Sequence, residues 1–550
     1  MNSFGVSCVL FMCFLTSLSS GENISYFKER QNAKEILLSY KSLKSPIGDG
    51  EIVEEIHELQ ANMDYYIHAE YIPDWAQFIV VQTHVYLHNV TLSYTIKKVE
   101  GKYVTGQNIG LMQNVTSAET AQLFLLNENP FNVTALLTIV AYTKNAPVPG
   151  GCNIEASVPV APWLGVGVTG PTVVVTSAPA QAPAVLGTPG ICDPVLHYQT
   201  YHLYLPEKDF TSDTYFQFIS KMLTVKRITD NARKVPDLGF NPLKHVFSAY
   251  HGTGSVFAVV VSSSSAQYAV YVPALSYTCS PSRYTDTCQV LTSTFSRALC
   301  ALVLFIGLFV CFYGHSFFQT ELFLFSTLVG SMITYVIVAP HGLSDAANIG
   351  IATVGGVTLA GMWLLLWWVF GSPLLSVVMA LSTLGYLVAS VVIYFPIVNQ
   401  AYLVHDMDYW MCFTCLVILV GLMFARHPDI VNIVACAVVG SYAAIVPIDH
   451  YVGGNLKYIF INTMRRATVP GFGEAIIDPP FQMKDLILAA VWVVLAVTGL
   501  VKQSQRFSGD RPAFPPSSHP WGTPLPPSTP RTSAERKPLL ASPGSDSVFS

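Results

Sequence analysis

The chain has 550 residues, of which 51% are hydrophobic and only 11% charged, with a mean hydropathy of +0.44 and a formal net charge of −5. Soluble domains carry about a quarter charged residues, so this composition excludes an ordinary soluble protein and points to a chain that crosses a membrane several times. The mild charge and the lack of a long basic cluster give no nucleic-acid signature, and no nucleic acid is expected as a partner.

Residues 1–20 read as a secretory signal peptide. An apolar core from Phe4 to Leu15, too short to span a bilayer, is followed by small residues, with cleavage expected between Ser19 and Gly21. N-x-[ST] sequons follow at Asn23, Asn89, Asn114 and Asn132, all before the first long apolar run. That clustering predicts a glycosylated lumenal or extracellular segment. Four cysteines lie in the same region: Cys152, Cys192, Cys279 and Cys288. An even number in an oxidising compartment predicts two disulfides; three pairings are open, and loop length favours Cys152–Cys192 with Cys279–Cys288. Cysteines further on lie in apolar runs and are expected to be small core residues.

The ectodomain reads mostly as β structure. Ala76 to Thr95 is rich in Val, Ile, Tyr and Thr with partial alternation, and Val256–Val261 with Gln267–Val272 flank four serines as a hairpin. Thr211 to Leu223 predicts a helix with Tyr215, Phe218, Ile219, Met222 and Leu223 on one face and Thr211 or Ser212 as N-cap. Pro159 to Gly190, rich in Val, Pro, Ala and Gly, is not expected to be helical. These signals predict two β-sandwich-like units, residues 21–146 and 147–295.

From Ala298 the character changes to apolar runs near Ala298–Tyr313, Leu322–Ala339, Ala346–Phe370, Leu374–Tyr394, Tyr409–Ala425, Ile430–Ile448 and Leu486–Val501. Each approaches the ~20 residues that a ~30 Å hydrocarbon core demands. A seven-helix transmembrane bundle over residues 296–502 is expected, with the lipid bilayer as its surroundings. Leu456–Ala467 is too short and too charged to span and is expected to lie at the interface; a count of six or eight would turn on it. The signal and sequons put the N-terminus outside, so seven spans put the C-terminus in the cytosol. Arg426, Lys502, Arg506 and Arg511 agree with that orientation, whereas Lys457, Arg465 and Arg466 run against it.

The helices carry few groups with recognisable chemistry. Receptor signatures such as D/E-R-Y and N-P-x-x-Y are missing at the ends of the third and seventh spans, and no H-E-x-x-H, G-x-S-x-G or Walker loop occurs. Histidines 315, 341, 405 and 427 are scattered singly, so no metal or cofactor is expected. Asp449-His450 is the best candidate for a membrane polar site, although a helix end at the interface is the blander reading. Glu321 is expected to cap the second span or face the cytosol, with a proton relay as the lesser alternative. Cys412-x-x-Cys415 has redox spacing but sits inside a span, where core packing is expected. Gly355-Gly356 and Ala360-Gly361 would let helices approach within the molecule. An enzyme is not expected.

The remaining residues, 503–550, are rich in Pro and Ser and too poor in apolar residues to fold, so a disordered cytosolic tail is expected. Within it Glu535, Leu539 and Leu540 of "ERKPLL" fit the acidic-dileucine pattern that clathrin adaptors read as an extended peptide.

Six stretches then carry a resemblance: "APVPGGCNIE" (146–155), "YLPEKDFT" (204–211), "YVPALSYTCS" (271–280), "GHSFFQTELFLF" (314–325), "VVGSYAAIVPIDHY" (438–451) and "PFQMKDLILAAVW" (480–492). In that order the chain resembles the transmembrane 7 superfamily member 3 family. The resemblance implies a glycosylated, non-enzymatic seven-span protein associated with cell survival through restraint of endoplasmic-reticulum stress and the unfolded-protein response. It brings no catalytic residues. It implies Cys152 and Cys279 as disulfide halves and Gly150-Gly151 as a tight turn that a side chain would clash with. The alternatives are a trafficking receptor or cargo chaperone of the endolysosomal and secretory pathway, or an orphan signalling receptor or transporter. An unknown lumenal protein or lipid is the expected ligand of the ectodomain.

Overall fold

A computed structural model describes residues 33–42, 52–115, 121–183, 192, 196–237, 241–263, 267–279, 281, 288, 294–371, 374–395, 403–424 and 427–507. The signal segment, Asn23 and the tail with Glu535, Leu539 and Leu540 lie outside the described residues.

The N-terminal domain is a sandwich of β1 (Lys34–Ser39), β2 (Ile52–Leu59), β3 (Met63–Glu70), β4 (Phe78–Val85), β5 (Val90–Ser93), β6 (Tyr103–Gly106), β7 (Asn108–Asn114), β8 (Ala121–Asn127) and β9 (Val133–Tyr142). One sheet has the order β1-β3-β8-β5-β6 and the other β2-β9-β4-β7. The pleat sends alternate residues to opposite faces. In β9, Val133, Ala135, Leu137, Ile139 and Ala141 enter the sandwich core, while Leu136, Val140 and Tyr142 enter the core of the next domain. In β4, Ile79, Val81 and Val85 likewise face inward and Phe78 and Val80 outward. The second sheet is therefore buried on both faces, which is why the sequence there alternates only in part.

The second domain pairs a sheet β10 (Leu164–Thr169), β11 (Thr172–Ser177), β14 (Lys244–Ser248) with a sheet built around β12 (His197–Tyr204) and β15 (Ser255–Ser262). β13 (Arg233–Lys234), β16 (Tyr268–Val270) and β17 (Ala274–Ser276) flank that second sheet. The expected hairpin is β15 and β16, antiparallel with Val260 opposite Val270. The Val-rich stretch after Pro159 supplies a hairpin, β10 and β11, that its Gly and Pro content concealed. Helix α1 (Ser212–Ser220) has Thr211 as N-cap, accepting from the Thr214 amide, and buries Tyr215, Phe216 and Ile219. Phe216 joins the core face, and Phe218 packs half-buried against the same core with the Lys221 ammonium over its ring. A short α2 (Val225–Asn231) follows. The disulfides are Cys152–Cys192 and Cys279–Cys288.

Among the described residues seven helices are long and apolar enough to cross a membrane: α3 (Thr294–Tyr313), α4 (Phe318–Val338), α5 (Asp345–Phe370), α6 (Leu374–Tyr394), α7 (Asp406–Phe424), α8 (Pro428–Val452) and α10 (Met483–Phe507). Burial places α8 and α6 at the centre: 72% and 61% of their apolar windows are covered, against 17–22% for the rest. Close approach needs small residues. A Cβ on Gly307 of α3 would stand 2.5 Å from the Ala444 amide nitrogen, and one on Gly440 of α8 2.5 Å from that of Cys311. Gly355 and Gly356 of α5 meet Thr334 and Ser331 of α4 in the same way, whereas Gly361 faces open space. Cys311 and Cys436 are buried as expected, but Cys412 and Cys415 are exposed. Helix α7 packs on α6 through Tyr409 and Phe413, and that leaves both thiols on the outer face.

Leu456–Ala467 departs most from its expectation. It forms α9 (Tyr458–Thr468), and Tyr458, Ile459, Asn462, Thr463, Met464, Arg465 and Arg466 are all buried instead of lying on an interface. Its arginines are satisfied by protein. Arg465 donates to Ser248 Oγ (3.2 Å) and the Ala249 carbonyl (2.8 Å). Arg466 pairs with Asp406 (2.9 Å) and donates to the carbonyls of Leu403, Val404 and Gly473. Committed to these acceptors, the charges that opposed the orientation rule are not free to interact with a membrane surface.

Candidate functional site

The segment between α8 and α10 ties the ectodomain to the helices. Its residues Ala475–Ile476 form β18, which pairs in parallel with Val246–Phe247 of β14 and completes the sheet β10-β11-β14-β18. Two residues further on, Asp478 accepts from His202 Nε2 of β12 at 2.7 Å and from Arg233 at 3.2 Å, while its carbonyl accepts from the Tyr204 hydroxyl at 2.7 Å. Burial pushes His202 down to about 4, helped by the Arg233 charge, and raises the Asp478 carboxyl. A neutral imidazole donating to a carboxylate is the arrangement that results.

Below this contact three carboxylates meet. Asp449, at the end of α8, is fully buried; its Oδ1 accepts from the Leu456 amide and its Oδ2 from the Lys457 amide, both at 3.0 Å. The Lys457 ammonium adds an ion pair at 3.4 Å. Asp485, in the first turn of α10, accepts from the Asn455 amide at 2.6 Å and reaches back to the Gln482 amide at 2.9 Å. Both acids thus satisfy N–H groups that helix starts leave without partners, and both suit the positive end of a helix dipole. Glu207, from the second domain, completes the set. Its Oε1 accepts from Asn455 Nδ2 at 2.5 Å, and that amide also donates to the Pro480 carbonyl at 3.1 Å. Gln482 donates to the Leu205 carbonyl (3.0 Å) and accepts from the Glu207 amide (3.1 Å).

Asp449 and His450 therefore turn to different neighbours. Asp449 holds the start of α9, while His450 lines a cavity of about 10 Å³ with Lys208, His251, Gly252, Gly453 and Lys457. That is room for about one water, not for a substrate. Among the described residues no group of three or more His, Cys, Asp or Glu could hold a metal ion. The described sequon residues Asn89, Asn114 and Asn132 are exposed on the N-terminal domain. Glu207, Asp485 and Asn455 were not singled out by sequence reasoning. A signal for the two carboxylates was present, since "YLPEKDFT" carries Glu207 and "PFQMKDLILAAVW" carries Asp485; Asn455 lies outside the six stretches.

Burial and then the like charge of Asp485 push the Glu207 carboxyl up from 4.5 to about 7. The folded junction holds this proton more tightly than the unfolded chain, so the stabilisation is present at low pH and is lost as pH rises towards 7. His202, with its lowered value, acts in the opposite sense, so the Glu207 contribution is read as a difference. Between about pH 5 and pH 8, the thermal midpoint of the full-length protein in detergent should fall relative to that of Glu207→Gln. A pH-independent difference would rule this out.

These features define a class: a multi-pass membrane protein whose immunoglobulin-like head is built into the loops of seven apolar helices. Family models agree segment by segment: a TM7SF3-like N-terminal immunoglobulin-like domain over residues 53–142, a TM7SF3-like second immunoglobulin-like domain over 147–282, and a TM7S3/TM198-like domain over 300–504. Transmembrane 7 superfamily member 3 of Homo sapiens is 30% identical over 458 residues, 81% of this chain and 80% of the relative. The Rattus norvegicus protein of that name is 32% identical over the same proportions. The chain belongs to the transmembrane 7 superfamily member 3 family.

Proposed function

We propose that this protein is a non-enzymatic homeostasis factor of the secretory pathway, which restrains endoplasmic-reticulum stress and the unfolded-protein response. Its ectodomain binds a lumenal protein or lipid, and the junction passes occupancy of the head to the helices. The observation that carries this reading is β18: a strand from the α8–α10 segment completes an ectodomain sheet, so head and bundle form one mechanical unit. The orientation adopted is head outside and tail in the cytosol, supported by an odd number of spans. A second reading, a trafficking receptor or cargo chaperone, draws on the tail, where Glu535, Leu539 and Leu540 form a signal for clathrin adaptors.

One rescue experiment tests both. Cells lacking the protein are expected to show raised stress-sensor output that the full-length chain returns to its resting level. No rise on loss, or no rescue, sinks the homeostasis reading. In the same cells the double variant Leu539→Ala/Leu540→Ala should move towards the cell surface; an unchanged distribution removes the sorting signal.

A further inference from the structure

At the end of the bundle remote from the ectodomain, one acidic side chain stands out from all the others. Glu321, in the first turn of α4, is 1% exposed, and neither carboxylate oxygen has a hydrogen-bond partner. The expectation that it caps its helix or faces water is not met. No Lys, Arg or His among the described residues forms an ion pair with it. Its polar neighbour is the buried thiol of Cys436 on α8, which lies beside it. One turn earlier on α8, on the same helical face, is Asn432, fully buried with both its amide oxygen and its amide nitrogen unpartnered.

Several other polar groups at this end of the bundle find partners, the buried Ser326 hydroxyl of α4 being a further exception. Gln503 of α10 donates to the carbonyls of Val310 (3.3 Å) and Cys311 (2.6 Å) and accepts from the His315 amide (3.1 Å). The Cys311 thiol donates to the Leu495 carbonyl at 3.4 Å. Lys502 and Arg506 lie over the rings of Phe312 and Tyr313 instead of turning inward. Beside Glu321 lies the thiol of Cys436, with the Cys311 thiol beyond it, and His315 is on the turn that precedes α4; among the described residues no Lys or Arg is paired with the carboxyl.

A carboxylate with no counter-charge is strongly disfavoured in an apolar interior, whereas a carboxylic acid is tolerated. A metal cation is a poor occupant, because hard ions want six or more oxygen ligands and Glu321 brings a single carboxylate. We propose that Glu321 is an intramembrane proton-binding site, which keeps α4 seated against α8 in its neutral, protonated form and gives up its proton when the start of α4 reaches water. Asn432 offers an acceptor and a donor on the same face of α8 as Cys436.

The test uses dicyclohexylcarbodiimide, which reacts with protonated carboxyl groups in apolar surroundings. The full-length protein in detergent should be labelled at Glu321, located by peptide mapping, with labelling that decreases from about pH 6 to about pH 9. Glu321→Gln should lose the label and unfold no earlier than the wild type on heating, because a neutral amide mimics the protonated acid. Two results would overturn the proposal. One is no labelling of folded wild-type protein above the Glu321→Gln background at any pH in that range. The other is a lowered melting temperature for Glu321→Gln, since that would mean the ionised form is the one being stabilised. Asp449 and Asp485 are internal controls: their oxygens are occupied by backbone amides, and they should remain unlabelled.

Discussion

Replacing Asp449 with alanine is expected to cost about 3–5 kcal/mol, the cost of breaking a buried charge pair by removing one partner. Asp449 is fully buried and Lys457 is 8% exposed, so the ammonium left behind cannot recover its hydration by a small movement. Two amides at the start of α9, those of Leu456 and Lys457, lose their acceptors in the same step. Asp449→Asn should be milder, because one oxygen can still accept from an amide. The damage should be local. Hydrogen exchange in the full-length protein should show protection lost at Leu456 and Lys457 and weakened through α9, with the N-terminal sandwich unchanged. Unaltered exchange in α9 would show that Asp449 is not what holds the junction closed.

That prediction rests on a residue visible in the sequence for a different reason. Asp449-His450 stood out as an ionisable pair inside an apolar run, and the sequence could not say that the two side chains would point to different neighbours. The seven spans were legible because length and apolarity alone determine which segments can cross a bilayer. The helix at Thr211–Leu223 was legible from its periodicity and its N-cap. What could not be read is what depends on distant partners. Two residues of a helix-connecting segment become β18 only because Val246–Phe247 offers a free edge. Leu456–Ala467 looked interfacial because an isolated reading sees Lys457, Arg465 and Arg466 but not Asp449, Ala249 or Asp406, which receive them. Glu207 and Asp485 lie 278 positions apart in the chain, 485 minus 207, and no local pattern links them. Strand β4 was legible from its Val, Ile and Thr content but alternates only in part, because each face of sheet β2-β9-β4-β7 is buried in a different domain core.

Gly150 makes the opposite case, a fold requirement that the motif "PVPGGCN" declares locally. Its φ is +66°, in the region where a side chain costs about 1–2 kcal/mol. A Cβ there would also lie 1.9 Å from the Ala161 carbonyl oxygen. The backbone has little room to yield. The Gly150 amide donates to the Tyr271 hydroxyl (3.2 Å), and the Gly150 carbonyl accepts from Ala161 (3.1 Å). Val148 forms a bridge with Gln181, and Cys152 is joined to Cys192. Gly150→Ala should therefore destabilise the second domain by about 3 kcal/mol or more, strain and overpacking together. Gly170 provides the comparison, since its φ is +55° but a Cβ there would meet nothing within 4 Å. Gly170→Ala should incur the conformational cost alone, about 1–2 kcal/mol. Thermal unfolding of the two full-length variants separates the terms, and so does thiol labelling of Cys152 and Cys192 without reductant: only Gly150→Ala should leave them reactive. Equal midpoints and equal labelling would mean that the turn moves away from Ala161 freely, and that this segment, despite its four anchors, does not hold the second domain in register.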